Sequence, residues 1–253
     1  MKRSFIIPII GAIILFAFNA NAQKKGKEMD PAAVKPTSVA APKPSNELEV
    51  KIYETALKYG DIEVARNAIY ALLVKHPDSL SYLDTLARLY FSNGNYVQCA
   101  LTSKDYLTRD SANLFVREML AISLSSLNKN KESLEQYEIL YANTHSVFHA
   151  YQIAILQYVL KRFGECETTC AIILSDPKAG EQKVSISADE KNNQQVPIKA
   201  AAYNIRGVMY KELNRPDDAI NSFREAVKIF PDFALAKANI EAMTAPKKDA
   251  PKK

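Results

Sequence analysis

The sequence is poor in cysteine and glycine. Its 253 residues include three cysteines, seven glycines and no tryptophan. Such a sparse and odd cysteine count excludes a disulfide-stabilised scaffold, even for a chain whose first residues predict export. The small number of glycines leaves little material for the strained loops on which phosphate-binding and nucleophilic sites are often built.

Catalytic motifs are absent as well. The sequence has no glycine-rich phosphate loop, no His-Glu-x-x-His and no Gly-x-Ser-x-Gly, and each of these patterns supplies a specific part of a catalytic site. The carboxylates are scattered along the chain. We therefore expect that the protein is not an enzyme and that it uses no cofactor and no metal.

A basic start, an apolar run and a small-residue site follow one another at the beginning of the chain. Lys2 and Arg3 precede the apolar run Phe5–Phe18, and Ala20-Asn21-Ala22 follows it. This order is typical of a secretory signal peptide, and the run is shorter than the ~20 apolar residues of a membrane-spanning helix. We expect cleavage of residues 1–22 and export to the periplasm or cell envelope of a bacterium, without stable membrane insertion afterwards. An uncleaved membrane anchor is the alternative.

Two further segments are rich in proline, alanine and lysine and nearly free of large apolar side chains. We expect residues 23–45 to be a disordered linker and residues 245–253 a disordered basic tail, because such segments cannot bury enough surface to order themselves. Together with the leader, they hold more positive charge than the net +5 of the whole chain. The body between them is therefore acidic, and we expect no nucleic-acid partner, since such proteins carry a basic patch on the folded body.

Small, aromatic and proline residues recur at fixed intervals within residues 200–233. Counted from Ala200 as position 1, the aromatic positions 4, 11 and 24, the small positions 8, 20 and 27 and the proline at 32 are Tyr203, Tyr210, Phe223, Gly207, Ala219, Ala226 and Pro231. This pattern closely resembles the tetratricopeptide repeat, a 34-residue helix-turn-helix unit. Small residues at positions 8 and 20 let two helices approach closely, and a proline cannot continue the second helix.

Further copies precede this one at intervals of about 34 residues. We expect repeats at about 46–79, 80–113, 114–147, 147–180 and 200–233. The start of the fourth is open: Tyr151 and Tyr158 favour residue 148, whereas Ala154 and Cys166 favour 147, with one residue missing from its inter-helix turn. The resemblance implies an all-α fold over residues 46–244, an α-solenoid in which the repeats wind into a right-handed superhelix.

Two segments depart from the repeat. Residues 178–197 are polar and have no helical period, so we expect a surface excursion inserted between the fourth and fifth repeats. We expect residues 232–244 to form a capping helix with Asp232 as its N-cap residue, because the last repeat of such an array would otherwise expose an apolar face.

The cysteines and histidines have spacings that a metal site could use. Cys166 and Cys170, however, fall at packing positions 20 and 24, and Cys99 falls at position 20 of its repeat. We expect three buried, unpaired thiols that act as small apolar residues. His145 and His149 lie on either side of a repeat boundary without a nearby carboxylate or cysteine, so we expect no metal there.

The resemblance also implies that positions 2, 5, 9 and 12 of the first helix of each repeat line the inner wall of the superhelix. In the second to fourth repeats we predict a partner-binding site at these positions, formed by Asp84, Arg88, Phe91, Phe115, Glu118, Ile122 and Tyr151. A wall that mixes acidic and aromatic residues suits an extended or helical peptide with apolar anchors and some basic residues. The alternative is that these side chains pack against neighbouring repeats.

These observations predict a protein-interaction scaffold or adaptor of the cell envelope, which binds a peptide or protein segment on the concave face. The identity of the partner does not follow, because the same fold serves many partners. One alternative is a non-protein ligand such as a glycan on the same face. Another is an enzyme subunit with a site in the insertion at 178–197.

Overall fold

The computed structural model describes residues 45–187 and 193–245. The predicted leader, nearly all of the predicted linker and nearly all of the predicted tail lie outside these residues. In the described part, the helices are α1 (Glu47–Lys58), α2 (Ile62–Lys75), α3 (Leu80–Ser92), α4 (Tyr96–Arg109), α5 (Leu114–Ser126), α6 (Asn130–Thr144), α7 (Val147–Val159), α8 (Phe163–Ser175), α9 (Ile198–Glu212), α10 (Pro216–Ile229) and α11 (Ala234–Thr244).

The helices follow one another as five helix-turn-helix pairs and a closing helix. Within the pairs α1 packs on α2, α5 on α6, α7 on α8 and α9 on α10, and α11 packs on α10. This arrangement confirms the predicted all-α repeat fold. Among the described helices, none has both the length and the apolar character that a membrane crossing requires.

The chain divides into two compact units. The described part of the first, residues 45–82, contains α1, α2 and the start of α3, and its core is made of Ala56, Ala65, Ala68, Ile69 and Leu72. The second unit contains residue 83 and the rest of the described chain. One core cluster of this unit joins the fourth and fifth repeats and includes Phe233 and Ala236 of the closing segment.

Small residues lie where the two helices of a repeat cross. Ser133 Oγ donates a hydrogen bond to Ala121 O over 2.8 Å, and Cys166 Sγ donates one to Ala154 O over 3.4 Å. Both pairs are buried and twelve residues apart, so the two bonds occupy equivalent places in the third and fourth repeats. The fourth repeat therefore begins at residue 147.

The prediction of a residue missing from the inter-helix turn of the fourth repeat is wrong. Three residues separate α7 from α8, the same number that separates α5 from α6. The shortening lies between α6 and α7, where two residues connect the helices, against four between α4 and α5. The first of the two, His145, has a left-handed φ of 48°, which ends α6 and turns the chain at once.

The insertion between the fourth and fifth repeats contains a β-hairpin. A 3-10 helix (Pro177–Gly180) leads into β1 (Lys183–Ser187), which pairs antiparallel with β2 (Asn193–Pro197) and places Val184 opposite Val196. Both valines are buried in the core of the last two repeats. The interpretation of residues 178–197 as a surface excursion is therefore wrong: Val184 and Ile186 alternate with polar residues, and this strand period is not visible in a search for helical periodicity.

The hairpin also fixes the closing helix. Gln194 Nε2 donates a hydrogen bond to Asp232 O over 2.6 Å, and Gln194 Oε1 accepts one from Ala234 N over 2.9 Å. Helix α11 begins at Ala234 and Phe233 is its N-cap residue. The predicted closing helix is present, but the side chain that binds its first turn belongs to β2 and not to Asp232.

Candidate functional site

Arg88 and Phe115 form a stacked pair on the first helices of the second and third repeats. The guanidinium carbon of Arg88 lies 3.9 Å from the centroid of the Phe115 ring. Arg88 Nε donates a hydrogen bond to Asp84 Oδ2 over 2.8 Å, one helical turn earlier on α3. The Arg88 side chain is 46% exposed and Phe115 is 40% exposed. The cation thus lies over an aromatic ring and is hydrogen-bonded to a carboxylate, while much of both groups remains in water.

Glu118 is connected to the fourth repeat. Its Oε1 lies 3.6 Å from Nε2 of His149 at the start of α7, and Nδ1 of this histidine lies 2.9 Å from Thr144 Oγ1. The histidine is buried, whereas the Glu118 side chain is about one-third exposed. Burial, with a smaller contribution from the Glu118 charge, raises the pKa of the Tyr137 hydroxyl nearby. The Glu118 carboxylate therefore lies beside a buried histidine of the next repeat, one helical turn after Phe115 on α5, and part of it remains accessible to a partner.

Phe91 and Ile122 are half-buried and contact the body of the protein. The Phe91 ring meets Tyr96 of α4 edge-to-face, with 6.3 Å between centroids. Ile122 packs against the buried cluster that includes Tyr137 and Ile153. Both residues can present only part of their surface to a partner, and both support packing as well.

Tyr151 does not lie on an accessible surface, which corrects the prediction for this residue. It is 7% exposed and belongs to the core cluster that joins the fourth and fifth repeats. Its burial raises the pKa of the hydroxyl. The six other predicted residues lie on α3 and α5, and we call them the first-helix face: Asp84, Arg88, Phe91, Phe115, Glu118 and Ile122.

The contact between Glu118 and His149 was not expected from the sequence. The sequence showed no carboxylate near His149, which we considered together with His145, as a pair for which we expected no metal. With the fourth repeat beginning at residue 147, His149 turns toward the preceding repeat and is buried there. The sequence left open whether the fourth repeat begins at residue 147 or 148. A start at residue 147 would have indicated that His149 lies toward the third repeat.

The three cysteines are free and buried, as predicted. Burial raises the pKa of the Cys99 thiol, and the neighbouring Cys166 and the burial raise that of Cys170. Within residues 45–187 and 193–245, no group of three or more His, Cys, Asp or Glu side chains could hold a metal ion.

The comparisons with known proteins agree with this architecture. The family model of the tetratricopeptide repeat matches residues 200–233. The curated proteins include no sequence that matches the chain. Many solved structures resemble it, and they show its fold.

Three of these structures illustrate the likeness. YrrB, a tetratricopeptide-repeat protein with an unusual peptide-binding site, has a TM-score of 0.59 and 15% identity, over 75% of this chain and 89% of its own. A tetratricopeptide-repeat protein from Parabacteroides merdae has a TM-score of 0.58 and 15% identity, over 78% and 72%. MamA has a TM-score of 0.58 and 14% identity, over 81% and 98%.

The protein has the fold of a tetratricopeptide-repeat protein, and its fifth repeat matches the family model. In general terms, this fold is a scaffold for protein–protein interaction. At sequence identities of 15% or less, these structures show only the fold. A more specific function must be inferred from the residues of this chain.

Proposed function

We propose that the protein is an exported scaffold or adaptor of the cell envelope, which binds a peptide or protein segment on its first-helix face. The observation that carries this proposal is the exposed stack of Arg88 on Phe115. Arginine, together with tryptophan and tyrosine, is enriched among the few residues that contribute most of the binding energy at protein interfaces. Here Asp84 and the Phe115 ring already hold the guanidinium in one orientation, so a partner would bind with less loss of side-chain entropy.

The charges around the stack define the partner's chemistry. The exposed side of the guanidinium suits an aromatic or planar group, or a carbonyl oxygen of an extended backbone. Glu118, with its carboxylate about one-third exposed, suits a basic residue of the same segment. The half-exposed rings on this face suit an apolar anchor between the two.

Two supporting observations come from outside the site. The start of the sequence predicts export, which is why we place the interaction in the cell envelope. YrrB, which resembles this chain in fold, has an unusual peptide-binding site.

The test is affinity capture from the cells that make the protein, with variants at the stack. We expect a stoichiometric protein partner to be captured by the unaltered chain and to be lost with Arg88→Glu. Glu135→Lys, an exposed change on α6, is the control and should leave capture intact. Loss of capture with the control alone would place the partner elsewhere. A chain that captures no protein but whose melting temperature rises with sugars would favour a glycan ligand instead.

A further inference from the structure

Helix α1 exposes an apolar stripe. Leu48, Ile52 and Tyr59 are spaced by four and seven residues, so they share one helix face, and they are 66%, 38% and 76% exposed. A groove of about 370 Å³ runs beside them, and Ile52, Tyr59 and Val64 of α2 contribute its apolar walls. Large apolar residues that are exposed together mark an interaction surface more often than a free one.

The other repeats show what kind of element covers this stripe. In the third repeat, Leu120 and Leu127 occupy the positions of Ile52 and Tyr59, and they pack against Ala100 and Leu107 of α4. The fourth repeat has the same arrangement, since its first helix α7 packs against α6, the second helix of the repeat before it. The surface is therefore shaped for a helix that lies along α1, in the place that the second helix of a preceding repeat would take.

The segment directly before α1 has a composition that disfavours such a helix. Residues 31–44 contain four prolines, and each proline removes a backbone donor and disfavours helical geometry in the residue before it. The closing helix α11 is also unsuitable as a partner from another copy, because its exposed side carries Lys237 and Glu241.

Helix α1 itself fits the stripe. Its first turn carries Glu47 and its last turn carries Lys58, and both lie on the same flank of the stripe by helical spacing. An antiparallel pair of α1 helices around a two-fold axis brings each Glu47 opposite Lys58 of the other copy. The same pairing lays Leu48 of one copy beside Tyr59 of the other, so the surface is complementary to itself.

We propose that a second copy of this chain covers the stripe, by antiparallel pairing of the two α1 helices. In the single chain, Glu47 is paired with Lys51 over 2.7 Å, and both side chains are about 70% exposed. Such an exposed pair contributes little stability, so Glu47 can exchange this partner for Lys58 of the other copy at small cost. The inference does not depend on the first-helix face.

The test is sedimentation equilibrium of the protein purified from its own cells, over a wide range of concentration. We expect a reversible dimer that Leu48→Glu weakens about tenfold or more, since a charge would be buried in the apolar contact. Glu47→Lys and Lys58→Glu should each weaken the dimer several-fold. The double variant should restore it, because the reversed charges again lie opposite each other. Leu101→Glu on α4, at another exposed leucine, is the matched control and should change nothing.

Several results would overturn the proposal. One is a protein that stays monomeric at all concentrations, and another is a dimer that Leu48→Glu does not weaken. A third is stronger association after deletion of residues 23–44, which would mean that this segment covers the stripe in the intact chain. If Leu48→Glu disturbs folding in circular dichroism, the charge-reversal set decides alone, and failure of the double variant to restore the dimer rejects the antiparallel arrangement.

Discussion

Gly207 lies directly against the ring of Phe223: a Cβ atom added at Gly207 would stand 2.4 Å from Phe223 Cε1. The two residues belong to the two helices of the fifth repeat, and both are buried. The close approach explains why a glycine occupies the middle of α9, where alanine would otherwise favour the helix by about 1 kcal/mol.

We therefore expect Gly207→Ala to lower the free energy of unfolding by about 1 to 2 kcal/mol, because the fully buried Phe223 ring would have to shift. Gly207→Leu should cost more. The matched control is Gly164→Ala in the first turn of α8, where an added Cβ meets nothing within 4 Å; this change should be neutral or slightly stabilising. Urea denaturation of the three variants measures the difference, and equal effects at both glycines would reject the packing explanation.

Most of the fold could be predicted from the sequence because small residues recur at the same position of successive repeats. Ala87, Ala121, Ala154 and Gly207 fall at one position of the first helix, and each is buried at a helix crossing. Only a small side chain fits where two helices approach so closely, so the residue type alone indicates where the helices cross. The hairpin was missed because its two buried valines lie among polar residues, and their contact depends on a chain reversal that no local pattern records.

The site was harder to predict than the fold. Arg88 and Phe115 lie on different repeats, and their stacking depends on the turn from α4 to α5 as well as on their positions in the repeat. Tyr151 has the same position in its repeat as Glu118, yet it is buried because the hairpin and α9 enlarge the core on its side. The position in a repeat predicts the direction in which a side chain points. Its exposure depends also on whether a neighbouring segment packs over it.

The hairpin is expected to be essential for stability. Val184→Ala and Val196→Ala should each lower the free energy of unfolding by about 1 to 3 kcal/mol, as buried valines that lose packing contacts. Deletion of residues 180–196 should cost more than either change, because it uncovers the core of the last two repeats. Gln195→Ala, at an exposed position of β2, is the control. Thermal melts measure these effects. An unchanged melting temperature after the deletion would show that the segment is a surface excursion after all.

Gln194 is expected to hold the closing helix in place. Gln194→Ala removes the hydrogen bonds to Asp232 and Ala234 and should cost about 1 to 2 kcal/mol, with a local effect. Hydrogen exchange should show faster opening of α11 and unchanged protection in α5 and α6. Uniformly faster exchange would mean that the bonds contribute to global stability only.

The thiols are expected to react only after unfolding. Cys99, Cys166 and Cys170 are fully buried, and the raised pKa values of Cys99 and Cys170 lower the fraction of reactive thiolate further. Titration with a thiol reagent should find almost none in the native protein and all three in denaturant. Fast reaction of the native protein would contradict their burial.

Variants of the first-helix face should separate binding from stability. Arg88→Glu should weaken a captured partner by about 1 to 3 kcal/mol and leave the melting temperature almost unchanged, because this exposed side chain supports little packing. Arg88→Lys should also weaken binding, since an ammonium group cannot stack flat on the Phe115 ring. Phe91→Ala should instead lower the melting temperature, because it removes the edge-to-face contact with Tyr96. Titration calorimetry with the purified partner, with a melt of each variant beside it, measures both quantities. Unchanged affinity for both Arg88 variants would remove the stack from the binding site, and full affinity with a normal melt for Phe91→Ala would show that this ring serves neither purpose.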